Sequence, residues 1–458
     1  MTSKASDMDD MAASAGVNAP AVSMPPKTSN RGWYTVYVLA IVSMLAQIDR
    51  GIISLLIEPM KRDLALTDTQ VSILVGFAFT FFYVMVGPPM SRVTDRGIRK
   101  RVIASGLAVW SLATALCGLA QNFWGLFFGR ALVGGGESVN GPASFSMIAD
   151  VIPRESLPRA FAILNAGVMG GMALSLVLGG VLIGLVANVA PIPVPGIGVI
   201  RNWQLVFMIV GIPGLLVSLL ILFTVPEPVR KGARKPGGYP MREVFRFVWS
   251  QRAIHVPLLL GVLLMAIQAF GLGAWNPAFY ERTYGWGPAV AGPLLGAVAL
   301  GGSFTGLYLG TRLAEYLGRK HDDANLRVLF LAQFLAVPLG IMGPLMPSPW
   351  LALSCGALSA TFGVMGGPAY NAAIQLATPN EMRGQVNAMY LFTLSAIGGA
   401  LGPTLVALIT DNIAQSEDNL RYVMSGMRAV LGPISVLLIW LAVKPYGCVY
   451  RQRLDAGE

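Results

Sequence analysis

The chain has 458 residues, of which 54% are hydrophobic and only 12% are charged, with a formal net charge of +10. Soluble domains carry about 25% charged residues, so this chain has too few charges to cover a water-exposed surface. The mean hydropathy of +0.62 supports the same conclusion, and together these values exclude most soluble classes. The three cysteines, Cys117, Cys355 and Cys448, are too scattered to predict a disulfide framework or a metal site.

Apolar segments recur along the chain with short polar gaps. Residues 1–30, rich in Ser, Ala, Pro and Asp, precede the first of them, and we predict a disordered cytoplasmic tail there. Each later segment reaches the roughly 20 residues that a membrane helix needs, which predicts 12 transmembrane helices and an all-α membrane protein. The segments lie at 33–58, 70–91, 102–121, 123–149, 158–188, 203–225, 256–280, 288–311, 326–346, 349–378, 384–410 and 422–443.

Lysine and arginine are unevenly distributed between the two sides of the predicted bundle. If the first helix leaves the cytoplasm, 25 of the 33 basic residues fall on the cytoplasmic side and six, Arg428 included, fall outside. This asymmetry predicts that both termini are cytoplasmic. Because the basic residues flank membrane helices, nucleic acid is not an expected partner. The sequence has no N-x-S/T sequon, which favours a prokaryotic inner membrane.

The longest cytoplasmic connection, residues 227–254, includes a predicted amphipathic helix. Its apolar face is formed by Met241, Val244, Phe245, Val248 and Trp249. Such a face is typical of a helix that lies on the inner leaflet of the membrane. Docking of a soluble partner on the same face is the alternative.

A charged motif after the second helix recurs 220 residues later, after the eighth. A parallel repeat of this kind predicts two pseudo-symmetric six-helix halves, residues 31–226 and 255–445, followed by a cytoplasmic tail at 446–458. The motif resembles the inner-loop signature of the major facilitator superfamily, which implies an acid–base latch that holds the cytoplasmic ends of the halves together in the outward-facing state. The first copy contains Asp95, Arg96, Arg99 and Lys100, and the second contains Glu315, Arg319 and Lys320.

Two further pairs of charged residues fall inside membrane helices, where an ionisable group costs at least about 2.5 kcal/mol unless it faces a cavity or a partner. Arg130 and Glu137 are two turns apart on one face of the fourth helix, and Asp49 and Arg50 are adjacent in the first. From the helical rise, Asp49 and Arg130 lie at similar depth, with Glu137 about 10 Å deeper. We therefore expect Asp49 to pair with Arg130, which leaves Glu137 as the less compensated acid and the principal proton carrier. A static ion pair that only orients the two helices is the alternative.

The same stretch is similar to the Spinster branch of the major facilitator superfamily. The similarity is carried by Asp49 and Arg50 in the first helix and by Arg130, Gly134, Gly136 and Glu137 in the fourth. It implies proton-linked movement of lipids such as lysophospholipids or sphingosine-type phosphates.

The second half has no acid or base in the middle of a predicted span, but it has several neutral polar residues. A cavity with charges on one wall and neutral groups on the other suits an amphiphilic substrate. Hydrogen bonding between helices is the alternative role for each residue. Together with one residue from the first half, the candidates for the cavity wall are Asn165, Gln268, Trp275, Asn276, Tyr370, Asn371, Gln375 and Asn387.

These features predict a monomeric secondary active transporter of an amphiphilic or lipid-like substrate, coupled to protons and surrounded by membrane lipids. No phosphate-binding loop of the type G-x-x-x-x-G-K-S/T occurs, so we expect no ATP-driven step and no cofactor. The only histidines are His255 and His321, which offers no basis for a His-based enzyme or metal site. An uncoupled, scramblase-like facilitator is one alternative, and a transporter of small organic acids or drugs is another.

Overall fold

The computed structural model describes residues 30–196, 198–228, 230 and 240–455. The predicted N-terminal tail lies outside the described residues except for Asn30, which begins the first helix. Part of the predicted linker, residues 231–239, also lies outside them.

Eleven helices among the described residues are long and apolar enough to cross a membrane. The remaining predicted span is present as two consecutive segments, Phe123–Glu137 and Asn140–Val151. Ser138 and Val139 between them keep right-handed helical angles, so the two segments continue as one interrupted span, here helix 4. The predicted membrane bundle of 12 helices is confirmed. In chain order, the other helices are Asn30–Leu55, Asp68–Arg96, Arg99–Cys117, Arg154–Val186, Asn202–Thr224, Arg252–Tyr284, Pro288–Gly318, Ala324–Leu345, Pro349–Ala377, Arg383–Ala414 and Leu420–Asp455.

Smaller elements add detail to the predicted architecture. A hairpin of two antiparallel strands, β1 (Ile192–Val194) and β2 (Gly198–Ile200), connects helices 5 and 6 in the gap between the two predicted spans. A short helix, Ile57–Leu64, follows helix 1. Helix 12 continues to Asp455 and so includes most of the segment predicted as a C-terminal tail.

The amphipathic linker helix spans Met241–Ser250, as predicted, but its apolar face is divided. Val244 is fully buried in the hydrophobic core of the C-terminal half. Phe245 and Trp249 are 56% and 65% exposed, and Met241 is exposed as well. One edge of the helix therefore packs on the bundle while a second row of apolar side chains remains uncovered.

The hydrophobic core consists of three clusters that reveal how the halves meet. One cluster joins both halves and includes Ile52, Trp203, Trp275 and Val406. The second cluster is confined to the N-terminal half and the third to the C-terminal half. We call the end with the shared cluster, beside the connections after helices 1, 7 and 11, the outer end, and the opposite end the inner end. The halves are thus packed together at the outer end and have separate cores at the inner end.

Close backbone contacts between helices join the halves near the outer end. A β-carbon on Gly76 in helix 2 would lie 2.7 Å from the carbonyl oxygen of Gly399 in helix 11, which leaves no room for a side chain. Helix 2 has a π-helical turn at Ile73–Phe77, beside this contact, and helix 11 has one at Leu394–Gly398. Such turns widen a helix locally and are frequent at functional sites.

Candidate functional site

The predicted intramembrane charges come together in the N-terminal half, between helices 1 and 4. Arg130 and Glu137 are each only 1% exposed, and Asp49 is 4% exposed, so the predicted common face of helix 4 is buried. Gly134 lets this face approach helix 2, because a β-carbon there would overlap the carbonyl oxygen of Phe79. The small residues of helix 4 therefore set the depth at which its charged residues lie.

The ion pair at the centre of the cluster joins Arg50 to Glu137. The Arg50 Nε atom donates to Glu137 Oε2 at 2.6 Å. No ion pair joins Asp49 to Arg130 among the described residues, so the predicted pairing is wrong, and Glu137 is the compensated acid. The cause is the rotation of helix 1 about its axis: adjacent residues of a helix point about 100° apart, and Arg50 rather than Asp49 is turned towards Glu137.

Two aromatic rings of helix 2, which the sequence did not single out, hold Arg50 in place. Its guanidinium carbon lies 4.6 Å from the ring centre of Phe79 and 4.8 Å from that of Tyr83. Cation–π contacts stabilise a partly desolvated guanidinium. The Arg50 side chain is 32% exposed, whereas that of Glu137 is fully enclosed. Arg50 is therefore the accessible member of the pair, and Glu137 is the enclosed one.

Several buried polar atoms around this pair have no hydrogen-bond partner. In Arg130 these are Nε and Nη1, and in Glu137 the atom is Oε1. An unsatisfied buried polar group costs about 1–3 kcal/mol, and such groups are rare in proteins. The cluster thus has spare donors and acceptors that could bind a proton or a substrate group.

A second charged cluster, which we call the outer latch, links the two halves at the outer end. Arg282 of helix 7 donates to both carboxylate oxygens of Asp68 at 2.7 and 2.8 Å, and to Glu58 at 2.8 Å. Lys61 binds Asp68 at 2.5 Å and Glu417, before helix 12, at 2.6 Å. Asp68 is completely buried, so its two cations replace all of its solvation.

A hydrogen-bond pair extends the outer latch to helix 11. Asp411 Oδ2 accepts from the backbone nitrogen of Thr69 at 2.8 Å and from its hydroxyl at 2.6 Å. Sequence reasoning missed the outer latch because it treated these residues only as markers of loops and helix ends. A signal was present: the first outer connection has five charged residues within eleven positions, in a chain where charges are otherwise sparse.

The predicted cytoplasmic gate residues lie at the inner end, and those with described ion pairs bind within their own half or to the linker that follows it. Arg99 is 1% exposed and pairs with Asp150 of the N-terminal half and, at 3.1 Å, with Glu227 at the start of the linker that follows this half. Glu315 pairs with Arg312 at 3.5 Å in the C-terminal half. The outer end is closed in this structure. The acid–base latch between the cytoplasmic ends, which we expect in the outward-facing state, therefore stays a prediction.

The neutral residues predicted to line a cavity fall into two groups. Gln268 and Trp275 are 0% and 1% exposed, and the Trp275 indole donates to the carbonyl of Pro403 at 3.0 Å, so both are enclosed within the bundle in this conformation. The others are partly or fully exposed, and both the Tyr370 hydroxyl and Asn387 Oδ1 lack a hydrogen-bond partner. The accessible members are Asn165, Asn276, Tyr370, Asn371, Gln375 and Asn387.

One further cation lies inside the C-terminal half, where none was expected. Arg428, which the sequence placed in an outer loop, is in helix 12 and donates to Ser359 at 2.8 Å and to Gln268 at 3.5 Å. It forms no ion pair among the described residues. The prediction that this half has no charged residue in the middle of a span is therefore wrong, because Arg428 lies two turns into helix 12 and reaches Gln268 at the centre of helix 7.

Comparison with known proteins agrees with this architecture. The model of the Major Facilitator Superfamily matches residues 39–403. An MFS-type efflux pump of Mycolicibacterium smegmatis is 27% identical over 431 residues, which cover 91% of this chain and 94% of that protein. Protein spinster of Drosophila melanogaster is 22% identical over 334 residues, which cover 70% of this chain and 52% of that protein.

A solved structure has the same fold. The crystal structure of a bacterial homolog of the human lysosomal transporter Spinster, inward-facing and unoccupied, has a TM-score of 0.75 at 24% identity and covers 93% of this chain and 98% of that one. Since the family model spans most of the chain and the fold agrees, the chain is a multi-pass membrane transporter and not an enzyme. It belongs to the major facilitator superfamily and resembles the Spinster proteins within it.

Proposed function

We propose that this protein moves an amphiphilic or lipid-like organic substrate across the membrane by alternating access, coupled to protons through Glu137 with Asp49, Arg50 and Arg130. The observation that carries the proposal is the 2.6 Å ion pair between the enclosed Glu137 and the partly exposed Arg50. The same pair could couple a proton to a substrate, because Glu137 can bind a proton in place of Arg50, and Arg50 can bind an anionic group of the substrate in place of Glu137.

The coupling step follows from the charges of the cluster. A proton on Glu137 removes the charge that binds Arg50, and the Arg50 guanidinium is then free to bind an anionic group in the space between the halves. When the substrate leaves, the pair forms again and the proton is released. Phe79 and Tyr83 keep the guanidinium in place during this exchange.

Alternating access is supported by the distribution of contacts between the halves. The outer latch and the shared core close one end, whereas the inner cores are separate. On the topology that the basic residues predict, with both termini in the cytoplasm of a prokaryotic cell, this conformation faces inward. The inner gate residues Arg99 and Glu315 form no ion pair between the halves here, and we expect the inner gate to join the halves once the outer end opens.

An amphiphile suits the two walls better than a small polyvalent anion does. The buried acids within the membrane spans lie in the N-terminal half, whereas the described C-terminal half adds one cation, Arg428, to neutral and partly exposed side chains such as Asn276 and Asn371. The similarity to Spinster proteins supports a lipid-like substrate.

The test uses the purified full chain in proteoliposomes with radiolabelled lysophosphatidylglycerol, and with ethidium and a dicarboxylic acid as the drug-like and organic-acid alternatives. A pH gradient should drive lysolipid accumulation in the unmodified protein. Glu137→Gln should keep counterflow at equal pH but lose gradient-driven accumulation by at least about tenfold, because a neutral amide cannot carry the proton. Glu155→Gln, which changes an exposed acid in the first turn of helix 5, is the matched control.

Three outcomes would contradict the proposal. Full response of Glu137→Gln to the gradient would remove proton coupling through this residue. Lysolipid transport at the same rate with and without a gradient in the unmodified protein would show an uncoupled facilitator. Accumulation of ethidium or the dicarboxylic acid without any lysolipid transport would overturn the substrate class.

A further inference from the structure

A groove on the outside of the C-terminal half, away from the charge cluster, runs between helices 9 and 12. It consists of two adjoining cavities of about 540 and 550 Å³ that share Phe330 and Trp440. Most of its walls are apolar, as at Phe334, Pro338 and Leu437. Phe334 and Leu437 are 56% and 53% exposed, so in a membrane these walls face lipid rather than a neighbouring helix.

The backbones of helices 9 and 12 approach each other closely along the base of the groove. A β-carbon on Gly432 of helix 12 would lie 2.8 Å from a methyl carbon of Val337 of helix 9. Nearer the inner end, one on Gly447 would lie 3.1 Å from the β-carbon of Asp323. Since the backbones are held together at these points, the large side chains of Phe330 and Trp440 form side walls and do not fill the groove.

Basic side chains lie at the inner end of the groove and nowhere else along it. Lys444 is exposed and has no hydrogen bond or ion pair among the described residues. Arg327 is 43% exposed at its side chain and pairs with Asp323 at 2.6 Å. With one acid against two bases, this end of the groove has a net positive charge and one uncommitted ammonium group.

The length of the groove fits one leaflet of a bilayer. From Arg327 to Ile341, helix 9 rises about 21 Å, whereas half of a bilayer's hydrocarbon core is about 15 Å thick. The excess corresponds to the headgroup region, where Lys444 and Arg327 lie. Trp440, one turn from Lys444 and 53% exposed, takes the interfacial position typical of tryptophan.

We propose that this groove binds an anionic phospholipid, with an acyl chain along the apolar walls and its phosphate beside Lys444 and Arg327. Basic residues that flank membrane helices on the cytoplasmic side attract anionic headgroups, so on the topology proposed above the lipid comes from the inner leaflet. A zwitterionic lipid fits the walls equally well but lacks the net negative charge that the basic end selects.

The experiment is native mass spectrometry of the full chain in detergent with equimolar phosphatidylglycerol and phosphatidylcholine. We expect the unmodified protein to retain phosphatidylglycerol with at least about a fivefold preference, and Arg327→Gln/Lys444→Gln to reduce this preference to below about twofold. Val436→Trp, which places a large ring in the groove, should reduce binding of both lipids. If the double variant is unstable, Lys444→Gln alone, a milder change at an exposed position, replaces it. This single variant should lose part of the preference for phosphatidylglycerol.

The control is Arg101→Gln/Arg246→Gln, which removes two exposed positive charges elsewhere on the same side of the protein. An equal loss of preference in this control would overturn the proposal, because binding would then depend only on total charge. No preference between the two lipids in the unmodified protein would also overturn it. The proposal would also be overturned if the unmodified protein formed a dimer that Val436→Trp dissociated, because the groove would then bind a second copy of the chain.

Discussion

The two halves have matching six-helix architecture but very different buried polar groups. The cluster between helices 1 and 4 of the N-terminal half holds two acids and two cations, with Arg50 and Glu137 paired. The C-terminal half holds Arg428, bound only to neutral Ser359 and Gln268. The difference indicates that charge chemistry is concentrated in one half, while the other provides shape and neutral hydrogen bonds. Each of the following predictions tests this asymmetry by changing one element of it.

The largest effect is expected from separating the central ion pair. Arg50→Gln leaves Glu137 buried without its cation, which costs about 3–5 kcal/mol when a buried pair is broken on one side. We expect the midpoint of thermal unfolding in detergent at pH 8 to fall by about 5 °C or more. The measurement is the melting curve of the purified variant beside that of the unmodified protein.

The control for this prediction is the double variant Arg50→Gln/Glu137→Gln, which removes both charges. Replacing a buried pair by neutral groups is often close to neutral, so the double variant should recover most of the lost stability. A double variant no more stable than Arg50→Gln alone would show that Arg50 acts through its packing on Phe79 and Tyr83 rather than through Glu137.

A smaller effect is expected at the outer latch, which joins the halves. Asp68→Asn removes the charge that binds both Arg282 and Lys61. Removing one member of a buried charge pair costs about 2–5 kcal/mol, so the open state of the outer end should gain at least about tenfold in population. The alkylation rate of a cysteine introduced by Ala278→Cys, a 2% exposed position in the shared core, reports this opening.

Glu417→Gln is the matched change, because Glu417 binds Lys61 in the same latch but is 56% exposed. Exposed ion pairs contribute about 0–1 kcal/mol, so its effect on the alkylation rate should stay below about fivefold. Equal effects of Asp68→Asn and Glu417→Gln would mean that burial does not determine the strength of the latch.

The smallest effect is expected in the C-terminal half. Arg428→Gln loses hydrogen bonds to Ser359 and Gln268, which lowers the stability of the protein. It also removes the free-energy cost of a desolvated charge that has no acidic partner, and these two effects oppose each other. We expect stability to change by no more than about 1 kcal/mol and gradient-driven transport to continue, whereas Arg130→Gln should abolish the coupling. Loss of gradient-driven transport in Arg428→Gln would show that the coupling charges are not confined to the N-terminal half.

The sequence predicted the helices and the buried acids well because both stand out from their surroundings. Glu137 and Arg130 are charged residues in an otherwise apolar stretch, and their spacing of seven places them on one face. Their partners could not be predicted in the same way. Whether Asp49 or Arg50 faces helix 4 depends on the rotation of helix 1, and this rotation is set mainly by its close packing on helix 5.

Long-range contacts and helix ends were the other features beyond prediction. Asp68 and Arg282 are 214 positions apart, so no local pattern links them. Arg428 falls near the start of the predicted segment 422–443, and hydropathy does not show whether such a residue lies at the surface or inside the bundle. In both cases the deciding factor is the packing of helices from distant parts of the chain.

The shared core at the outer end has a thermodynamic consequence for the transport cycle. Opening that end separates Trp203 and Phe279, which belong to the one cluster that both halves build. Exposure of apolar surface to water raises the heat capacity. The van't Hoff plot for the opening of the outer end, which shows the logarithm of the equilibrium constant against the inverse of temperature, should therefore be curved. A change in the temperature of the cell would therefore shift the equilibrium between the outward-facing and inward-facing conformations, without any change in substrate or proton concentration.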